Sequence, residues 1–129
     1  MVTRQVALSR TNVHRYWLLA GFALVTASVV SAVSGGVGAS PILVFAMAPD
    51  LAFLAGAGQA VARGQLAPRA VPVYNVLHHP TLPMTIAAAS AVGFLSTWWL
   101  PAALAWLAHI AFDRAAGYGL RTREGWQRG

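Results

Sequence analysis

The polar residues of this chain are bunched, and between the bunches lie four long apolar runs. Residues 17–33 carry no charge, and their only polar side chains are Thr26, Ser28 and Ser31. Extended to 16–34, this run approaches the ~20 residues that cross ~30 Å of hydrocarbon, so a first transmembrane helix is expected there. It is longer than the ~7–15-residue apolar core of a secretory signal, which favours a span over a cleaved leader. Within it Ala23, Ala27, Ser31 and Gly35 recur every four residues, a small-residue stripe suited to close approach by a neighbouring helix. After the Gly-rich turn SGGVGAS, Pro41 opens a second run, 41–62, interrupted by Asp50 and Gln59. The polar, Pro-containing stretch RGQLAPR at 63–69 reads as a loop between antiparallel helices. A third run, 70–95, contains Tyr74, Asn75, His78, His79, Pro80 and Pro83. The turn STWWLP leads into the shortest span, 98–114, with Trp98 and Trp99 as an anchor at headgroup level. The pattern predicts an all-α fold: a four-helix transmembrane bundle forming a single integral domain over residues 1–129.

Composition sharpens this picture. The chain is 57% hydrophobic and only 9% charged, against the ~25% charged residues of a soluble domain. It has no Cys, which excludes disulfides, thiolate-ligated zinc, iron–sulfur clusters and a thiol nucleophile. There is no Lys; all nine basic residues are Arg, and with Asp50, Asp113 and Glu124 the net charge is +6. A basic balance of this size suggests nucleic acid or lipid, and the placement of charge decides between them. Arg4, Arg10 and Arg15 precede the first run, Arg63 and Arg69 lie between the second and third, and Arg114, Arg121, Arg123 and Arg128 follow the fourth. The other two turns contain no Arg. That alternation is the positive-inside pattern of four spans with both termini cytoplasmic, in the cell's inner membrane. No basic stripe with interleaved aromatics offers a nucleic-acid groove, so the expected partner is the bilayer. A small chain with short loops also suits a homo-oligomer or a place in a larger membrane complex.

Ionisable residues inside a membrane are costly and are functional candidates by default. Helix arithmetic places Asp50 ~18 Å and His78 ~12 Å from the cytoplasmic ends of their runs, with His109 about one turn deeper than Asp113 at the edge of the last. All four are therefore expected in the cytoplasmic half of one bundle. His109 and Asp113 share a helix face at i,i+4 spacing, as two metal ligands or as a ligand and its orienter. Asn75 stands three residues from His78 and four from His79, all pointing roughly one way. Pro49 breaks the ladder beside Asp50, while Pro80 and Pro83 deprive the carbonyls of Val76 and His79 of their helical donors.

Three readings of this cluster stand side by side. Asp50, His78, His109 and Asp113 suit a divalent ion such as Zn, Mn or Fe, with an open position to activate water against a lipid-derived ester or phosphoester. Alternatively they form a purely structural polar network, with Arg114 paired to Asp113 or Asp50, in a noncatalytic subunit. As a third reading, His78 or His79 together with His109 would supply axial ligands to haem. Tyr118 belongs to a Gly-flanked turn, its ring at the interface or its phenol against the Asp113 region. His14, beside Arg15, reads as headgroup-facing. No G-x-S-x-G, Walker or G-x-G-x-x-G motif supports serine acyl transfer or nucleotide chemistry.

The strings AMAPDLAFLAG, YNVLHH followed by LP, and WLAHIAFDRAAGYGLR resemble a family of small membrane proteins, the domain-of-unknown-function 4260 family. The resemblance covers about residues 17–121. It rests on Pro49 and Asp50, on Tyr74, Asn75 and His78, and on His109, Asp113, Arg114, Gly117, Tyr118, Gly119 and Leu120. Where members commonly carry Lys after the last motif, this chain has Arg121, and it lacks a His-containing ending. The family implies no established activity. More loosely, the Pro-Asp, His and His-x-x-x-Asp pattern looks like that of membrane-bound metal-dependent hydrolases, an analogy of pattern alone.

Overall fold

The computed structural model describes residues 2–128, and side chains from residue 10 onward except that of residue 11; the side chain of Arg4 lies outside these. The chain is all-helical. In order come α1 (Val2–Gly35), α2 (Ser40–Met47), a 3-10 helix (Ala48–Gly56), a 3-10 turn (Pro68–Ala70), α3 (Val71–Leu77), α4 (Thr81–Ala91) and α5 (Trp99–Ala115). Among the described residues no strand forms; Arg121 and Gln127 make an isolated antiparallel bridge.

The first helix starts well before residue 16, because the Arg-bearing segment continues the helix. Its stretch Asn12–Gly35, 24 residues, is long and apolar enough to cross a membrane. It ends where Gly36 takes a positive φ of 63°, a conformation that L side chains resist.

The second and third runs are not single helices, and proline explains both departures. In 41–62, α2 gives way at Ala48 to a nine-residue 3-10 helix, longer than the ~3–4 residues usual for this form. Pro49 has no N–H for the α ladder, and the path leaves helical geometry after Gly56, six residues before the expected end. In 70–95, the helix breaks between Leu77 and Thr81, with Pro80 standing as N-cap of α4. The fourth run matches closely, 98–114 expected and Trp99–Ala115 found.

Helix α5 is the hub, packing against α1, α2 and α4. Its Ala102, Ala103, Ala105, Ala108 and Ala111 are buried, and their small side chains admit neighbouring backbones closely. Trp106 is buried among them, and its indole N–H donates to the Leu77 carbonyl at 2.7 Å, tying the end of α3 to α5. The small-residue face of α1 is not the expected stripe. Ala23, Ala27 and Gly35 are exposed, whereas Gly21, Ser28 and Ala32 are buried. The partner helix sets this rotation: a Cβ on Gly21 would stand 2.7 Å from the Phe112 ring, and the Ser28 hydroxyl donates to the Pro101 carbonyl at 2.7 Å.

Large apolar residues such as Leu19, Val33, Leu43, Leu54 and Phe94 point outward. A second packed cluster joins Ala52 on the 3-10 helix to Leu66, Ala67, Ala70, Val71 and Tyr74. It holds the Asp50 segment against α3.

Candidate metal centre

Three separate elements deliver four side chains to one point. Asp50 comes from the 3-10 helix, His78 from the C-cap of α3, and His109 with Asp113 from successive turns of α5. The imidazole Nε2 atoms of His78 and His109 lie 3.4 Å apart. Asp50 Oδ1 stands 3.5 Å from the first and 3.4 Å from the second. Asp113 Oδ2 stands 3.3 Å and 3.6 Å from the same two atoms. Asp50, His78 and His109 thus lie close enough to hold a metal ion. His78 is fully buried, His109 and Asp113 partly so, and Asp50 opens to the outside.

The tautomers follow from the other ring nitrogens. His78 Nδ1 lies 3.0 Å from the Tyr74 carbonyl and His109 Nδ1 lies 2.8 Å from the Ala46 carbonyl. A carbonyl only accepts, so each Nδ1 carries the proton and donates it. In the neutral ring each Nε2 then presents a lone pair to the centre, where both carboxylates also present acceptors. Histidines that ligate metals are commonly oriented in this way, by donation from the remote nitrogen to a backbone carbonyl.

Local sequence explains both supports. His78 is four residues after Tyr74, so its ring folds back over the preceding turn and stacks on the Tyr74 ring, with centroids 3.9 Å apart. The Ala46 carbonyl is open because the chain tightens to 3-10 geometry at Ala48. Its i+3 donor there would be residue 49, and Pro49 has no N–H.

Several sequence expectations fail in detail. His79 does not share the direction of His78: it is exposed, and its Nδ1 accepts from the Thr81 hydroxyl at 2.9 Å. The one-residue step that buries His78 turns His79 outward. Asn75 also faces elsewhere, gripping the backbone of Arg121; its Oδ1 accepts from the Arg121 N–H at 2.8 Å and its Nδ2 donates to the Arg121 carbonyl at 2.9 Å. Arg114 pairs with neither Asp113 nor Asp50. It donates to the carbonyls of Tyr118 at 3.1 Å and His78 at 3.3 Å, closing the end of α3 whose helical donors are lost. Tyr118 is exposed, and its backbone N–H donates to the Asp113 carbonyl at 2.8 Å. His14 caps α5 by donating to the Ala115 carbonyl at 2.8 Å.

Three participants were given no place at the site from sequence. Tyr74 was readable from its i,i+4 spacing to His78. The Ala46 carbonyl was readable only with the 3-10 geometry in hand. Arg121 stood out in the sequence only as a departure from the family's usual Lys, and the folding-back of the chain after α5 is what brings it to the site. A cavity of about 290 Å³, lined by Asp50, Phe53, Tyr74, Asp113, Tyr118 and Arg121, opens onto the cluster. A second, largely apolar cleft of about 180 Å³ between α1, α2 and α5 reaches His109 and Asp113 from the other side.

Fold and site together define a small all-helical protein, one of whose helices is long and apolar enough to cross a membrane, built around a His/Asp cluster. A family model described as a domain of unknown function, DUF4260, matches residues 14–129, and the chain belongs to that family. No curated protein and no solved structure matches it.

Proposed function

We propose that this is a multi-pass inner-membrane protein whose Asp50, His78, His109 and Asp113 bind one divalent ion and hydrolyse an ester or phosphoester bond of a lipid-derived substrate. The observation that carries the reading is the set of separations at the cluster. A tetrahedral ion bonded at ~2.0–2.1 Å holds its ligands ~3.3–3.4 Å apart, whereas charge-assisted N–H···O bonds close to ~2.7–2.9 Å. The five separations that involve a histidine Nε2 run from 3.3 to 3.6 Å, and Asp50, His78 and His109 form the close triad. They fit a shared ion better than a network of short charge-assisted hydrogen bonds. The nitrogen and oxygen donor set suits Zn, Mn or Fe. Haem fits less well, because a porphyrin plane would have to pass between the two Nε2 atoms, where Asp50 and Asp113 converge.

With Asp113, which lies outside the close triad, giving up its place, an ion held by Asp50, His78 and His109 would polarise the scissile group and acidify a water at the position so opened. Water oxygen adds to the acyl carbon or phosphorus, the bond to the alcohol oxygen breaks, and the proton from water ends on the departing alcohol. Asp50, the most open of the four ligands, borders the cavity through which a substrate would enter.

The outward-facing Leu, Val and Phe side chains and the buried Ala-rich hub support a lipid surround. Both breaks in the second and third runs face the cluster, as non-helical backbone at membrane depth must face protein or a cavity. Metal analysis and an absorption spectrum of the detergent-purified protein test the reading. One equivalent of Zn, Mn or Fe is expected; a Soret band would favour haem, and neither signal would favour a structural subunit.

A further inference from the structure

We propose that the cavity beside the cluster seats an oxyanion of the substrate, a phosphate or carboxylate group, held by the guanidinium of Arg121. This rests on the metal reading above and gives the chemical class of what the site takes.

Arg121 is the single cation lining that cavity, where it shares the wall with Asp50 and Asp113. It is only 9% exposed; its Nε is sealed within the protein without a hydrogen-bond partner, and among the described residues its Nη2 makes no hydrogen bond, which leaves Nη2 as the donor a ligand in the cavity can meet. The Nη1 atom is spent on the carbonyls of Gly64 at 3.1 Å and Gly125 at 3.5 Å. Its guanidinium lies 5.6 Å from the centre of the Tyr74 ring, whose neighbour in the stack is His78. Among the described residues it makes no ion pair; the carboxylates face the histidines instead. A buried charge with an unspent donor is costly unless something completes it. The two-point grip of Asn75 anchors the Arg121 backbone beside the cavity, and the Nη1 bond to Gly64 holds the guanidinium there.

Charge bookkeeping gives the sign of the ligand. Asp50 and Asp113 are offset by Arg114 and Arg121, so with neutral histidines the site is balanced. A divalent ion leaves an excess of two positive charges around the cavity. An oxyanion cancels that excess, with a planar guanidinium as its natural fork. Without the ion, the two carboxylates repel it. Anion binding is therefore coupled to metal binding, and the apolar cleft on the far side of Asp113 offers room for a chain attached to the anion.

Calorimetric titration of the detergent-solubilised full chain tests this, with inorganic phosphate and octyl phosphate as probes, with and without one equivalent of Zn²⁺. Both probes are expected to bind the zinc-loaded protein about tenfold or more tighter than the zinc-free one, from the added charge. Arg121→Met should keep its zinc and lose phosphate binding. Arg121→Lys keeps the charge without the fork and should weaken binding about tenfold, which carries the test if the Met variant does not fold. Tighter octyl phosphate would identify a lipid-type source, equal affinities a soluble one, and either upholds the anion site. Zinc-loaded variants that bind phosphate like the parent would overturn it. If the parent takes up no zinc, the metal reading fails on its own. Phosphate binding that Arg121→Met abolishes would then still uphold the anion site, and no binding at all would overturn both.

Discussion

The Nδ1–H of His109 donates to the carbonyl of Ala46 at 2.8 Å, across 63 residues of sequence. That carbonyl is open because Pro49, three residues on, has no N–H to give it. Pro49→Ala restores a local donor that competes with His109. The variant is expected to bind metal about 10–100-fold more weakly, the usual cost of disturbing a ligand's outer support. A chelator-competition titration reads this directly, and unchanged affinity would show that His109 is held by packing alone.

The four cluster residues separate a metal site from a structural network by the order of their effects. His78→Ala and His109→Ala each remove a ligand, and Asp113→Asn keeps the shape while losing charge; all three are expected to lower bound metal without unfolding the bundle. Asp50→Leu should also lose metal, yet stability is expected to hold, since the Asp50 side chain is nearly half exposed and fills no place in the core. In a structural network Asp113→Asn would be mild and bound metal would not respond. Metal content and thermal midpoint, measured side by side, distinguish the two patterns.

Metal should also stabilise the fold. An ion that binds only the native state adds about 2.7 kcal/mol at a free concentration 100 times its dissociation constant. The thermal midpoint is expected to rise with added zinc and to fall again with a chelator. Lowering the pH acts like the chelator, because protons compete for the same two Nε2 lone pairs. A midpoint indifferent to zinc at neutral pH would count against the site.

The contact between α1 and α5 depends on the missing side chain at Gly21, where a Cβ would meet the Phe112 ring at 2.7 Å. Gly21→Val overpacks this crossing and is expected to cost about 1–3 kcal/mol. Phe112→Ala in the same chain should recover part of the loss. Ala23→Val, on the exposed face, is expected to stay within about 0.5 kcal/mol. Equal effects at residues 21 and 23 would mean that α1 is rotated differently against its partner.

The Arg-free first turn, set against the Arg-bearing second loop and C-terminal segment, predicts a topology that reporter fusions can check. A fusion within residues 35–39 and one after residue 129 should report opposite sides of the membrane. If both report the same side, the number of spans differs from four.

Hydropathy and local spacing carried much of this molecule. The runs 16–34 and 98–114 are helical, both being rich in Ala and Leu, which favour the helix. The i,i+4 placement of His109 and Asp113 put them on one face before any neighbour was known. Prolines 49 and 80 marked where helices would weaken, though not that one would tighten into nine residues of 3-10 and the other divide α3 from α4. What periodicity cannot hold is rotation about each helix axis, since that depends on the partner's shape. Phe112 and Pro101 turned Gly21, Ser28 and Ala32 inward rather than the stripe at 23, 27 and 31. Long-range pairing is the other tertiary contribution. Arg121 reaches the cavity because Asn75, 46 residues earlier, holds its backbone. His78 faces inward and His79 outward because one of two adjacent side chains completes the cluster, and neighbours at a helix end cannot both point the same way.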